Sequence, residues 1–390
     1  MNRLSPDIGC QSLIKYGEML CGDSVAIAEE NEDTLVIVLA DGLGSGVKAN
    51  ILSTLTTKII STMMAKGMNI EDCVKAVVAT LPVCELRNIA YSTFTILRVS
   101  GTLEAEIIEY DNPGVLMLRN GVYVELPKET IKIHGKLIFR SRIPLKENDT
   151  FITMSDGVIH AGVGKTLSFG WPRAEVARFI ESLYENTLTA KAITSRLIDK
   201  CSSLYQGEPG DDTTVCTVKI RKTQPVNLML GPPSNPDDVD YMMSGFFALP
   251  GKHIVCGGTT STLAAEFLGE KLGLSLDYID PLIPPAGEIR GVDIVTEGVI
   301  TINQVLTYSK DYLGDNRYYS YWKSSDDGAS QIARMLFEHA TDVNFFVGKA
   351  INPAHQNPDL PIGFSIKMRL VEELIEALKK MGKHIKLSYF

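Results

Sequence analysis

Four acidic sites stand where apolar runs begin or end. In "TLVIVLADGLGSGVKAN" an apolar run stops at Asp41, and glycines follow at positions 42, 44 and 46. "CGDSVAIA" sets Asp23 between Gly22 and a strand-like run, and "FITMSDG" ends on Asp156 before Gly157. "GEPGDDTTVCTV" opens another run with the doublet Asp211–Asp212. Taken singly, each reads as an ordinary turn, because aspartate hydrogen-bonds its own backbone there and glycine relaxes it. Together they allow a second chemistry. Converging carboxylates repel one another and call for a cation to neutralise them. Oxygen donors without His or Cys favour Mg²⁺ or Mn²⁺. Glycine next to the acid lets backbone or substrate approach closely.

The elements needed to hold these acids are legible. "TLVIVLADG" is a continuous apolar run, expected as a buried strand. From Gly46 to Lys66 the residues Ile51, Leu52, Leu55, Ile59, Ile60 and Met63 recur at helical steps and predict one helix face. "NIEDCVKAVVATL" predicts a second helix with Asn69 as its N-cap. "STFTILRVS" and "LEAEIIEYDN" predict a hairpin around Gly101, and "GVLMLRNGVYVEL" carries an Asn-Gly turn at Asn120–Gly121. A strand through "DTFITMSDG", helices over about 173–184 and 189–205, and a strand in "DDTTVCTVKIRK" complete this half.

Four prolines then fall within "KTQPVNLMLGPPSNPDD", which resists both helix and sheet interiors. A linker is therefore expected at 223–236, between domains at 1–222 and 237–390. Two domains suit 390 residues. Beyond the linker, "HIVCGG", "VDIVTEG", "VNFFVGKA" and "HIKLSYF" alternate with helical stretches, the last over about 365–381. That grammar predicts an α/β domain with a mostly parallel sheet.

Composition excludes several classes. The net charge of −9 and the lack of a basic, aromatic-interleaved patch argue against nucleic acid. The lysines at 379, 380, 383 and 386 are mixed with Glu372, Glu373 and Glu376, as on a solvated helix end. Seven scattered cysteines, with no Cys-x-x-Cys, fit free thiols better than disulfides or a zinc site. The first residues lack the apolar core of a signal peptide, and no run is long enough to span a membrane. The expected setting is the cytoplasm. Oligomeric state is not legible.

"GDSVAIA", "LADGLGSGVKA", "ITMSDGVIHAG" and "GDDTTVCTVKI", in that order, resemble the signature motifs of metal-dependent protein serine/threonine phosphatases of the 2C type. The likeness is greatest to the bacterial SpoIIE-like branch, whose hairpin before the "SDG" strand "DNPGVLMLRNG" also resembles. It covers residues 1–222 and implies an αββα sandwich, two antiparallel sheets flanked by helices. It implies two divalent cations, Mn²⁺ or Mg²⁺. Asp41 would bridge them, the Gly42 carbonyl would ligate the second, Asp156 and Asp211 would hold the first, and Asp23 would act through water. The alignment of "DDTT" favours Asp211, with Asp212 the alternative. The implied reaction is hydrolysis of phosphoserine or phosphothreonine on a bacterial signalling protein, by a hydroxide held between the metals. The larger eukaryotic members grip the phosphate with an arginine; here Lys15 and Arg3 are candidates only by proximity in sequence.

"AGVGKT" at 161–166 resembles a phosphate loop, but that pattern needs glycine where Ile159 stands. His160 nearby reads as a surface residue or an outer support rather than a ligand. In the second half, Gly258, Thr259 and Thr260 follow a strand and open a helix. They form a candidate anion site for a small molecule or nucleotide. The plainer alternative is that Thr259–Thr262 cap the helix. Glu297 and Gly298 follow another strand, and "AINPAHQNPDLP" at 350–361 follows a third, so all three could border one crevice. The leading expectation is a phosphoprotein phosphatase with a C-terminal regulatory domain. The rivals are a non-catalytic phosphatase-fold binding module, and an enzyme whose main activity lies in the C-terminal domain.

Overall fold

The structure is a computed structural model. It describes residues 4–31, 34–80, 83–84, 89–90, 92–101, 103–133, 136–274, 279–281, 283–314, 316–350 and 362–390. The chain divides into two compact units, Met1–Lys222 and Thr223–Phe390.

The first unit opens with β1 (Leu4–Leu13), β2 (Asp23–Asn31) and β3 (Thr34–Gly42), then helices α1 (Gly46–Met64) and α2 (Ile70–Thr80). Short strands β4 (Val83–Cys84) and β5 (Ile89–Ala90) precede β6 (Ser92–Ser100), β7 (Glu104–Tyr110), β8 (Leu116–Arg119) and β9 (Val122–Val124). After them come β10 (Glu129–Ile133), β11 (Lys136–Pro144), β12 (Asp149–Met154), the single turn α3 (Asp156–Ile159), α4 (Arg173–Leu183), α5 (Ala190–Leu204) and β13 (Thr213–Lys222). Two antiparallel sheets result, ordered β1-β13-β12-β8-β9 and β10-β11-β7-β6-β3-β2.

The αββα layering follows from strands that are apolar on both faces. Along β3, Leu35, Ile37 and Leu39 enter the core between the sheets with Phe151 and Val218. Val36, Val38 and Ala40 pack under α1 and α2. The other sheet turns Leu116, Ile152 and Val215 toward α4 and α5. Period-2 geometry makes this division automatic. Asn69 caps α2, its Oδ1 accepting from the Asp72 amide at 2.9 Å. Asn120 and Gly121 take positive φ at the β8–β9 turn.

Two expectations need correction here. Ile51 and Leu55, counted on the packed face of α1, are exposed, at 53% and 43%. The buried face keeps the expected Leu52 and Ile60 and adds Ala49, Ser53, Thr56 and Thr57, because small residues let the helix lie close on its sheet. The amino-terminal segment, read only as lacking a signal, forms the edge strand β1, paired with β13 from Leu4↔Lys222 to Leu13↔Thr213.

The second unit runs β14 (Pro225–Leu230), α6 (Val239–Phe247), β15 (Lys252–Cys256), α7 (Gly258–Leu268), β16 (Gly273–Leu274), β17 (Gly287–Glu288) and β18 (Ile294–Thr296). It continues through α8 (Val299–Leu313), α9 (Tyr319–Ser324), α10 (Gly328–Ala333), β19 (Asp342–Val347), α11 (Ile362–Lys380) and β20 (His384–Tyr389). Its sheet is ordered β16-β17-β18-β15-β14-β19-β20. The five strands from β18 to β20 are parallel, and β16 and β17 add a short antiparallel margin. Helices α6 and α7 cover one face, and α8, α10 and α11 cover the other. Read in chain order, the parallel strands lie 3-2-1-4-5, a doubly wound sheet.

The expected linker at 223–236 is corrected by this sheet. Pro225–Leu230 is its central strand, paired with β15 on one side and β19 on the other. Proline is tolerated because Pro225 is the first residue of the strand. Pro232 and Pro233 lie beyond its end, and Pro236 opens a short 3₁₀ turn. Among the described residues, no helix is long and apolar enough to cross a membrane.

Candidate active site

Strands β2 and β3 end together, so Asp23 and Asp41 are direct partners in the ladder. On its other side Asp41 faces Thr93 of β6, and the Ser92 hydroxyl donates to the Asp41 carbonyl at 2.9 Å. Asn112, in the loop after β7, accepts from the Thr93 hydroxyl. The second sheet supplies the remaining acids. Asp156 starts α3 directly after β12, and Asp211 and Asp212 precede β13, the neighbour of β12. Ser155 fastens these ends: its amide donates to the Thr214 carbonyl at 3.0 Å and its Oγ accepts from the Thr214 amide at 2.8 Å.

Backbone geometry brings these acids together: Asp23 and Asp41 pair across the ladder, and Asp212 lies against both Gly22, beside Asp23, and Gly157, beside Asp156. Asp41 is pushed up to about 9, first by burial, then by the charges of Asp23, Asp156, Asp211 and Asp212. Asp23 is pushed up to about 7 by burial, against the opposing pull of the Ser155 and Thr214 hydroxyls, with Asp212 and Asp156 adding to the rise. Asp211 is also raised, by burial and by Asp156, with Lys15 opposing. Mutual repulsion among these carboxyls is the consequence of that proximity.

Buried polar atoms normally have partners, yet Oδ1 and Oδ2 of Asp23 and Oδ2 of Asp212 have none. Ser155 and Thr214 lie near enough to influence Asp23 without closing a hydrogen bond of good geometry. Hard, unpartnered oxygens in a nest of mutual repulsion fit divalent cations. Among the described residues, no three acid, His or Cys side chains are already gathered around one point as a coordination shell. The fit to metal rests on the chemistry of the donors, which are carboxylate oxygens, and not on a formed coordination shell.

The two acids of the doublet differ. Asp212 is buried, and its Oδ1 accepts from the Lys15 amide at 3.1 Å. Asp211 is more open, accepts the Asp212 amide on its own Oδ1 at 3.0 Å, and has Lys15 Nζ 3.8 Å away. Lys15 is therefore brought to the cluster, whereas Arg3 lies outside the described residues. His160 Nδ1 is 3.8 Å from Asp156 Oδ2.

The glycines beside the acids are explained by backbone crowding. A β-carbon on Gly42 would stand 2.1 Å from the Ala49 carbonyl oxygen of α1, and one on Gly157 2.1 Å from the Asp212 carbonyl oxygen. One on Gly22 would meet Asp212 Oδ2 at 2.7 Å. These close approaches are made by the chain itself. Tyr205 was not anticipated from sequence; its hydroxyl donates to the Gly157 carbonyl at 2.7 Å and braces the turn below Asp156. No pattern marks it, since its partner is a backbone atom far away in the chain. Cys21 is adjacent but inert, its thiol pushed up to about 12 by burial and by Asp23.

The phosphate-loop resemblance at 161–166 has a structural fate. Lys165 Nζ donates to the carbonyls of Tyr205 and Glu208 and to Glu208 Oε2, at 3.0, 2.9 and 2.9 Å. It fastens α5's end rather than facing a ligand. In the second unit, Gly258, Thr259 and Thr260 are the first residues of α7, at the carboxyl end of β15. Glu297 and Gly298 lie at the carboxyl end of neighbouring β18. The expected loop at 350–361 falls, beyond Ala350, outside the described residues.

Residues 31–221 match the family model for stage II sporulation protein E (SpoIIE). The matched span holds Asp41, Gly42, Asp156 and Asp211, while Asp23 precedes it. The stage II sporulation protein E of Priestia megaterium is 21% identical over 232 residues, 56% of this chain and 37% of that protein. That of Bacillus subtilis (strain 168) is 22% identical over 235 residues, 56% of this chain and 26% of that protein. The chain thus spans well under half the length of these curated relatives. Among solved structures, the PP2C phosphatase domain with a fragment of the regulatory domain of SpoIIE from Bacillus subtilis is 20% identical, with a TM-score of 0.50. It aligns over 58% of this chain and 66% of that one, which establishes a shared PP2C-like fold.

Proposed function

With residues 31–221 carrying a SpoIIE-type phosphatase domain, we propose that this protein is a metal-dependent phosphatase of phosphoserine or phosphothreonine on a signalling protein. The observation that carries the reading is Asp41, half-buried at a strand end directly opposite Asp23 and pushed up to about 9 by desolvation and four other carboxylates. A nest of that kind is unfavourable in an empty fold and useful around cations.

Asp41 would be shared between two ions, with the Gly42 carbonyl on one and Asp156 and Asp211 on the other. Asp23 would act through water. Bound there, Mn²⁺ or Mg²⁺ would supply an acidified water for in-line attack on phosphorus and balance the charge on the phosphoryl oxygens. The chain's own contribution is position. The β2–β3 ladder holds Asp23 and Asp41 on rigid strands, and the Ser155–Thr214 contacts hold Asp156 and Asp211 at matching strand ends. Lys15, 3.8 Å from Asp211, would meet a phosphoryl group entering over that acid. Asp212 has Oδ1 on the Lys15 amide and Oδ2 without a partner, so the choice of Asp211 as the ligand rests on the alignment of "DDTT".

The test is p-nitrophenyl phosphate hydrolysis by the full chain, with Mn²⁺ and with chelator, beside Asp41→Ala. Mn²⁺-dependent turnover lost in the variant is expected; a wild-type chain silent with Mn²⁺ defeats the proposal. A phosphoproteome comparison of the same pair would identify the substrate.

A further inference from the structure

Parallel strands of the second unit end on glycine at one edge of the sheet: Gly231 after β14, Gly257 after β15, Gly348 after β19, and Gly298 two residues past β18. Backbones crowd there. A β-carbon on Gly298 would lie 3.4 Å from the Gly257 Cα, and one on Gly348 1.9 Å from the Pro232 carbonyl oxygen. Lys367 adds a buried ammonium at the same edge, held by the Gly348 and Ala350 carbonyls.

Within this edge α7 begins without a capping side chain. Its early hydroxyls turn the other way: Ser261 Oγ donates to the Gly257 carbonyl at 2.9 Å and Thr262 Oγ1 to the Gly258 carbonyl at 3.2 Å. Helix capping by Thr259–Thr262 is therefore not what the run does. The first amides of α7 have no intrahelical acceptor and carry the positive end of the dipole. Thr260, 1% exposed, has a hydroxyl with no partner. That hydroxyl points at the opening turn, 3.1 Å from where a β-carbon of Gly257 would stand. A buried donor left unmade at an uncapped helix start points to a ligand oxygen. Glu297 stands across the mouth. Its Oε2 accepts from the Gly298 amide at 3.0 Å, and its Oε1 lies 3.6 Å from a β-carbon position on Gly258. A bare dianion would be repelled by that carboxylate; a hydroxyl between them would be bonded by it.

We propose that the α7 amino-terminus is a binding site for a phosphomonoester with a nearby hydroxyl, such as a sugar phosphate. The amides of Gly258–Thr260 and the Thr260 hydroxyl take the phosphate, and Glu297 accepts from the ligand's hydroxyl. The site is independent of the phosphatase reading.

The experiment is calorimetric titration of the full chain in chelator, where the acidic cluster of the first unit repels phosphate. The probes are ribose 5-phosphate, inorganic phosphate and ribose. Saturable binding of ribose 5-phosphate, tighter than inorganic phosphate, is expected, with none of ribose. Thr260→Val weakens ribose 5-phosphate about tenfold, the scale of one hydrogen bond to a charged group, while Thr260→Ser keeps most of the affinity and both variants melt like the parent. Glu297→Gln weakens ribose 5-phosphate and not inorganic phosphate. The proposal is overturned if ribose 5-phosphate does not bind saturably, if folded Thr260→Val binds it unchanged, or if Glu297→Gln leaves its advantage over phosphate intact.

Discussion

Asp23 and Asp41 lie opposite one another, Cα to Cα, across the β2–β3 ladder, and both carboxyls are held far above the ordinary range, at about 7 and about 9. A ladder position is set by backbone hydrogen bonds, so neither residue can retreat from the other without losing strand pairing. The pair is thus a built-in electrostatic load that a cation relieves.

Removing one charge should separate function from stability. Asp41→Asn is expected to lower metal-dependent turnover by at least about a hundredfold, ~3 kcal/mol of barrier. The same variant should melt a few °C higher than the parent in chelator, on the order of 1 kcal/mol. Steady-state kinetics with Mn²⁺ and thermal denaturation without it check both halves.

Stability without metal should fall as pH rises. Both carboxyls titrate higher in the folded chain than at their ordinary value of 3.8. Between that value and the folded values of about 7 and 9, the native state binds more protons than the unfolded one, so each step up in pH favours unfolding. Melting in chelator from about pH 5 to about pH 9 should show a declining midpoint, less steep in Asp41→Asn. A midpoint that climbs across this range, or a variant with the parent's slope, would refute the idea.

Lys15 is expected to matter for substrate more than for fold. Its ammonium is 3.8 Å from Asp211 and about one-third exposed, so Lys15→Met should leave the stability within about 1 kcal/mol of the parent. KM for a phosphopeptide should rise several-fold, with a smaller change in kcat. Unchanged KM would remove Lys15 from the site.

The glycines at the acids should resist even alanine. Gly42→Ala would drive a methyl to 2.1 Å from the Ala49 carbonyl, and Gly157→Ala to the same distance from the Asp212 carbonyl. Backbone must move in both, at a cost of ~1–3 kcal/mol. Mn²⁺ affinity should fall with it, because the moved backbone carries Asp41 or Asp156. Gly44→Ala is the control: no atom lies within 4 Å of its β-carbon position, although its φ of +100° adds local strain.

The resemblance at 161–166 yields a negative prediction. Lys165→Met should lower the stability by ~1–2 kcal/mol, read by thermal denaturation, for the lost hydrogen bonds to Tyr205 and Glu208. It should leave turnover intact.

What could be read from the chain alone was local. Apolar runs with glycine at their ends identify β3 and β12, helical spacing identifies α1, and Asn69 and Asn120–Gly121 mark a cap and a turn, because these depend on neighbours a few residues away. The acids were visible for the same reason, each at the end of its own run. The structure alone decided which of them meet: β2 pairs with β3 and β12 with β13, and the Asp212 end is brought to Lys15, 197 positions away in the chain. It also decided which face of α1 is buried, that the proline-rich stretch holds the central strand of a sheet, and that Tyr205 braces the Gly157 turn. Those outcomes rest on close packing and on hydrogen bonds to backbone atoms, which carry no side-chain signature for a sequence to display.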